Sequence, residues 1–338
     1  MRTRSLCLIV LAAVLTVLLS QCARTPSQTV VVYVSEDQVF SEPVLKDFER
    51  ETGVAVRAVF DTEEAKSTGA MNRLIAEKDN PQADVYWANE PIRAEVLKQR
   101  GISAPYVSPN AAGIPDTFKD PEGFWTGFSA RARVLLARRG LKVKPESILA
   151  YTEPRWKGKA VIANPLFGTT TAQVAALFTV WGDERAKAFL DQLKKNGVKI
   201  STSNGESADL VAAGEFEFAL VDSDDGASRM RQHKPVEMFY PDQRAGEVGC
   251  LIVPNAVLLI QGAPHPANAR KLIDYLLSKE TERKLAFADC AQIPLHAGVD
   301  TPPEVRRIET IRPIEINFAE VARKMQEIQP YLKTWTGL

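Results

Sequence analysis

The sequence predicts an α/β protein of two lobes, and three observations carry that expectation. Short β-branched runs without charge alternate with helical stretches of about ten to fifteen residues, the pattern of βαβ units on a mostly parallel sheet. About 310 residues follow the amino-terminal leader, more than one hydrophobic core usually organises. Two segments, 125–133 and 247–255, break the alternation and read as crossings between lobes. The organisation that follows is a leader at 1–22, a tether at 23–29, a first lobe from 30–126 and 255–338 with C-terminal helices, and a second lobe at 127–254.

The leader comes first. Arg2 and Arg4 precede residues 6–19, which carry no charge, and Leu19-Ser20-Gln21-Cys22 follows. This is the layout of a secretory signal peptide ending at a lipidation cysteine, although Gln21 stands where a small residue is usual. The apolar run is shorter than the ~20 residues of a spanning helix. The expectation is therefore a lipoprotein acylated at Cys22, held by its lipid anchor on the periplasmic or other extracytoplasmic face of the envelope.

The elements follow in order. Val30-Val31-Val32-Tyr33-Val34 reads as a buried strand. Ser41-Glu42-Pro43 suggests a helix start, and Gly53 a stop. A strand is expected at 54–60, a helix at 63–77, a strand at 83–87 and a helix at 91–99 that ends before Gly101. In the second lobe the pattern predicts a strand at 160–163, helices at 170–181 and 183–196, a strand at 198–201, a helix at 207–213 and a strand at 216–221. An apolar extended run at 250–260 and helices at 266–277 and 281–288 complete the reading.

Composition narrows the function. Lys+Arg and Asp+Glu both number 42, so no global field selects nucleic acid. Hydrophobic content of 45% with 25% charged residues is that of an ordinary globular protein. Cys7 falls inside the leader, which leaves Cys250 and Cys290 as a candidate disulfide or as two small buried side chains. His233, His265 and His296 are scattered without metal-ligand spacing and read as surface residues. Trp87 and Trp125 fit a core or the face of an organic ligand.

Two constellations carry chemistry. Asp222-Ser223-Asp224-Asp225-Gly226 follows a predicted strand, and Asp37 and Glu90 each follow another. Ligands of open α/β sheets collect beyond the carboxyl ends of strands, so Asp37, Glu90, Asp222, Asp224 and Asp225 would form an acidic pocket for a hard cation or an ammonium group. Turn and helix-cap roles are the plainer alternative. The second constellation is Gly168-Thr169-Thr170-Thr171, opening a helix whose amino terminus suits an anion, with Arg131 and Arg133 nearby as further anion ligands or as structural ion pairs.

From Tyr33 to about Leu295 the chain resembles the periplasmic binding proteins of ABC importers, and within them the ferric-iron-binding branch. The resemblance rests on Ala83-Asp84-Val85-Tyr86, on Trp125-Thr126-Gly127-Phe128-Ser129-Ala130-Arg131-Ala132-Arg133-Val134, on Trp156-Lys157-Gly158, on Val211-Ala212-Ala213-Gly214-Glu215, on Ala219-Leu220-Val221 and on Val253-Pro254-Asn255-Ala256, in common order. It implies a type II-like periplasmic-binding-protein fold that closes on its ligand by a hinge, an ABC importer permease as partner, and ferric iron with a synergistic anion near Thr169–Thr171 as cargo. Glu90 matches an acidic position of that family. Asp37-Gln38 stands where iron binders usually place a His or equivalent donor, and Asp224-Asp225 replaces their paired tyrosines.

A binding protein and a secreted metal-dependent hydrolase are the two function classes in view. The sequence contains no HExxH, no G-x-S-x-G and no credible Ser–His–Asp chain, so binding without turnover is expected, and no catalytic cofactor. Ferric iron or another hard cation, with or without an anion, is the first choice of ligand. A small zwitterion such as an aminophosphonate is the alternative. A monomer is expected.

Overall fold

The computed structural model describes residues 28–61 and 68–337. Cys22, the leader and most of the tether lie outside them, as does the start of the helix expected at 63–77.

One sheet runs through the molecule in the order β2-β1-β3-β10-β5-β8-β6-β7, with β4 beside β10 and β9 beside β5. The first lobe holds β1 (Thr29–Val34), β2 (Ala55–Phe60), β3 (Val85–Ala88), β4 (Ser103–Ala104) and β10 (Ile252–Ile260). The second holds β6 (Ala160–Ala163), β7 (Lys199–Ser201), β8 (Phe218–Asp222) and β9 (Val236–Phe239). Strand β5 (Thr126–Arg138) serves both: residues 126–132 pair antiparallel with β10, and Arg133 to Ala137 pair antiparallel with β8. This is the two-lobed α/β fold expected from the sequence, and β5 and β10 are its crossings.

Parallel pairing of β1 with β2 and β3, and of β6 with β7 and β8, sets the carboxyl ends of several strands at one rim. Their interiors read as apolar runs because helices cover both faces. Helix α1 (Gln38–Thr52) follows β1, α2 (Thr68–Ala76) follows β2, and α3 (Pro91–Gln99) follows β3. In the second lobe, α4 (Gly168–Trp181) follows β6, α5 (Asp183–Lys195) and α6 (Asn204–Ala212) flank β7, and α7 (Ser223–Arg231) follows β8. After β10 come α8 (Pro266–Leu276), α9 (Lys279–Phe287), α10 (Phe318–Glu327) and α11 (Gln329–Thr336). The last two touch both lobes: the Phe318 ring meets Trp125 at 6.0 Å, and Tyr331 meets Phe178 at 5.9 Å.

Several boundaries differ from the sequence reading. Helix α1 starts at Gln38 rather than Ser41, with Pro43 inside it, and the Ser41 hydroxyl donates to the Asp37 carbonyl. Helix α6 begins at Asn204 because the Ser203 hydroxyl accepts from the Glu206 amide and caps it. The Asp222–Gly226 stretch, expected as the end of a strand and a turn, opens helix α7.

Trp87 and Trp125 are core residues. Cys250 and Cys290 are separate buried thiols, so the candidate disulfide is not formed. The Cys250 thiol faces the Arg133 carbonyl at 3.2 Å, and the Cys290 thiol faces the Leu285 carbonyl at 3.3 Å. Histidine placement needs a second correction. His296 is buried and paired with Glu282, and His265 bonds the buried Asp84, so neither is an ordinary surface residue.

Candidate functional site

Each loop at the rim follows the carboxyl end of a strand. Asp37 is the N-cap residue of α1, Glu90 of α3 and Asp222 of α7, and in none of the three does the side chain cap the helix. An acid at an N-cap ordinarily accepts from the first turn of its own helix. The plain capping role is therefore absent at all three.

The second lobe supplies the densest part. Carboxylate oxygens of Asp222, Asp224 and Asp225 lie within 4.8 Å of one another. Asp222 is held on both oxygens: Arg133 Nη1 donates to Oδ1 at 2.8 Å, and Thr169 Oγ1 donates to Oδ2 at 2.7 Å. Asn204 Nδ2 reaches the same Oδ2 at 3.2 Å. Asp224 and Asp225 occupy the first turn of α7, where the helix dipole favours negative charge. Burial outweighs that benefit. It pushes Asp224 up to about 6, with Asp222 adding to the rise and Arg131 opposing it. Burial pushes Asp225 up to about 8, reinforced by Asp224 and Asp222 and opposed by Arg229 and Arg133. A pair of acids that resists ionising is one that a cation would relieve.

From the first lobe, Glu90 is also pushed up by burial, with Arg93 and Arg131 opposing and Asp222 adding to the rise. Its Oε1 pairs with Arg93 Nε at 3.2 Å. Arg131, on the crossing strand, donates to Glu36 Oε2 at 3.4 Å and to the Asn89 carbonyl. Burial alone would lower this guanidinium, but Glu36, Asp224, Asp222 and Asp37 together hold it well above the ordinary value. The field of Arg131 thus joins acids of both lobes.

The expected anion ligands are placed differently. Arg133 is fully buried and donates to the Thr169 and Thr170 hydroxyls at 3.0 and 3.1 Å, as well as to Asp222. Thr171 is buried. The hydroxyls of Thr169 and Thr170 are therefore committed to internal partners, and Arg133 is a structural ion pair that holds Asp222. Gly168 stays exposed at the helix amino terminus, beside the exposed Phe167.

The structure brings Asp222, Asp224 and Asp225 together and sets Asp37 and Glu90 around Arg131. It adds Glu36, Asn89, Asn204 and Arg229, which the sequence reading missed. Glu36 and Asn89 adjoin predicted ligands, and that adjacency was the available signal. Asn204 had none, because it arrives from the first turn of α6, remote in sequence.

Comparison with known proteins adds relatives to this geometry. Residues 83–311 match the family described as bacterial extracellular solute-binding protein. Over 306 residues the chain is 28% identical to iron uptake protein A1 of Synechocystis sp., spanning 83% of this chain and 82% of that protein. It is 29% identical over 244 residues to a periplasmic protein of Salmonella typhimurium provisionally named as 2-aminoethylphosphonate-binding, spanning 71% and 69% of the two. The fold matches a Trichodesmium structure in complex with iron and citrate ligands at a TM-score of 0.80 and 22% identity, over 91% of this chain and 99% of that one.

Proposed function

This chain belongs to the bacterial extracellular solute-binding proteins, and from that premise we propose that it captures a hard metal cation in the cleft and delivers it to the permease of an ABC importer. Its relatives are binding proteins rather than enzymes, so capture and release, not turnover, is the work to be explained. Ferric iron is the first candidate. The observation that carries the reading is the trio Asp222, Asp224 and Asp225, with carboxylate oxygens within 4.8 Å and two of the three acids held above their ordinary range. Hard cations take such oxygen donors. Glu90 and Asp37 complete the set from the first lobe as the cleft closes, and an anion at Gly168 and the first turn of α4 would share the cation's charge.

A second reading is a zwitterion such as an aminophosphonate, its ammonium at the acids and its anionic end at Arg131. The Nε of Arg131 has no hydrogen-bond partner among the described residues, which favours an anionic group nearby. Native mass spectrometry of protein purified without chelator, followed by calorimetry with ferric citrate and with 2-aminoethylphosphonate, separates the two. Binding of neither overturns both.

The anchor belongs to the same proposal. Acylation at Cys22 would hold the protein at the membrane beside its permease. Cys22→Ser is expected to move it to the soluble fraction. Retention in the membrane after a carbonate wash would show an uncleaved apolar segment instead.

A further inference from the structure

Strand β5 is irregular where it matters for the cleft. Phe128 pairs with Asn255 and Ala130 with Pro254, so Ser129 is an extra residue without a counterpart on β10. Its φ of 38° lies in the left-handed region, which is unusual for a side-chain-bearing residue and marks a β-bulge. A bulge resets the alternation of a strand, and a one-residue change of register turns every later side chain to the opposite face. Arg131 and Arg133, two residues apart on one face, follow directly. The bulge therefore decides whether they point at Asp222 and Glu36 or away from them.

The bulge is held by a fully buried carboxylate from α9. Glu282 Oε1 accepts from the Ser129 amide at 2.9 Å and from the Leu295 amide at 2.8 Å. Glu282 Oε2 accepts from the His296 amide at 3.0 Å and faces His296 Nδ1 at 2.8 Å. The other ring nitrogen, Nε2, faces the carbonyls of Asn110 and Ala112 at 2.9 and 3.1 Å. Acceptors stand on both sides of the ring, so both nitrogens carry protons and the ring is an imidazolium. Burial of the ring opposes that charge most and Lys279 a little, but the Glu282 carboxylate and the Asn110 carbonyl together hold the ring above its ordinary value. On the other side of the bulge, Asn255 Nδ2 donates to the Ser129 carbonyl at 2.6 Å and to Gln292 Oε1 at 2.8 Å. Gln292 Nε2 in turn reaches Glu36 Oε1, the carboxylate that holds Arg131.

We infer that Glu282 is a positioning residue for the cleft: it fixes the Ser129 bulge and so the register that aims Arg131 at Glu36 and Arg133 at Asp222, and its second oxygen holds His296 as the imidazolium. The inference rests on the cleft reading above. A buried Glu–His pair remote from the acids would otherwise serve only the packing of α9.

The test has a ligand-free arm and a binding arm, both on the folded chain. By nitrogen-detected NMR, His296 is expected to be doubly protonated at pH 7.5 in the wild type and neutral in Glu282→Gln. Amide exchange at Ser129, Ala130 and Arg133 is expected to accelerate at least about tenfold in Glu282→Ala, with β1 unchanged. Glu282→Gln keeps one oxygen for the Ser129 amide, so its exchange there stays slow. In the binding arm, ferric citrate affinity falls about 10- to 100-fold in Glu282→Ala, the range for groups that orient first-contact ligands, and recovers in Glu282→Gln. A neutral His296 in the wild type, unchanged exchange at Arg133 in Glu282→Ala, or wild-type affinity in that variant would overturn the inference. Should the alanine variant not fold, Glu282→Asp, whose shorter side chain falls short of the Ser129 amide, takes its place, and unchanged exchange at Ser129 and Arg133 there overturns the inference. Failure of the wild type to bind ferric citrate defeats the cation reading alone, and the ligand-free arm still decides this one.

Discussion

Arg133 Nη1 and Asp222 Oδ1 lie 2.8 Å apart, with no exposed surface on the arginine. The pair ties the crossing strand β5 to the end of β8, and so ties the crossing to the acid trio. Thr169 and Thr170 accept from the arginine, and Asn204 donates to the aspartate.

Arg133→Met should therefore destabilise the protein by about 3–5 kcal/mol, because Asp222 is left buried without its cation. Arg133→Met with Asp222→Asn should recover part of that loss. Urea unfolding of the wild type and both variants measures it. A single variant as stable as the wild type would remove the pair from the structural framework.

Asp225→Asn should weaken cation binding by about 1–3 kcal/mol, the cost of losing one charged partner in a desolvated site, while leaving the fold intact. Calorimetry with ferric citrate decides this. Equal affinities would take Asp225 out of the site.

Raised acids make capture compete with protons. With Asp225 near 8 and Asp224 near 6, cation binding at pH 7 should release about one proton, and affinity should fall as pH drops. Calorimetry in two buffers of different ionisation enthalpy counts the proton. The ligand-free protein follows the same linkage. Its folded acids hold protons that the unfolded chain gives up near 3.8, so their contribution to stability is full below that value and is lost as pH rises through about 6 to 8. Asp225→Asn should flatten that decline, and melting curves from pH 5 to 8 would expose any failure to do so.

The lobes should close about the β5 and β10 crossings. Gly127 marks how tightly these crossings are packed: a Cβ there would sit 2.7 Å from the Phe118 carbonyl oxygen and 3.2 Å from Pro254 Cβ. Small-angle scattering should show a smaller radius of gyration with ferric citrate than without. An unchanged profile at saturation argues against a hinged cleft.

Much of this was legible in the chain because local and global signals agreed. Helix α3 appears where Pro91 at its start and Gly101 beyond its end placed it. Helix α7 was missed for a physical reason: Ser223-Asp224-Asp225-Gly226 carries turn chemistry, and only the packing of Ala227 beneath it shows that the segment continues as helix. Asp37, Glu90 and Asp222 stand where the sequence placed them, each after a strand and before a helix. The roles of Thr169 and Thr170 were not legible, because a hydroxyl at a helix start looks the same whether it meets a ligand or a buried arginine from another strand. His296 was misplaced because its partner, Glu282, sits fourteen residues away across a turn.

The sharing of β5 between lobes has a consequence for how the chain assembles during synthesis. Strand β3 forms early, yet its antiparallel neighbour is Ala256–Leu259, which emerges only after the whole second lobe. Until then the apolar margin of β3 has no mate, and an open β margin recruits other chains. Contacts between such distant stretches also close slowly. A chain whose second lobe is incomplete thus carries an unpaired apolar strand margin, the kind of species most prone to aggregate.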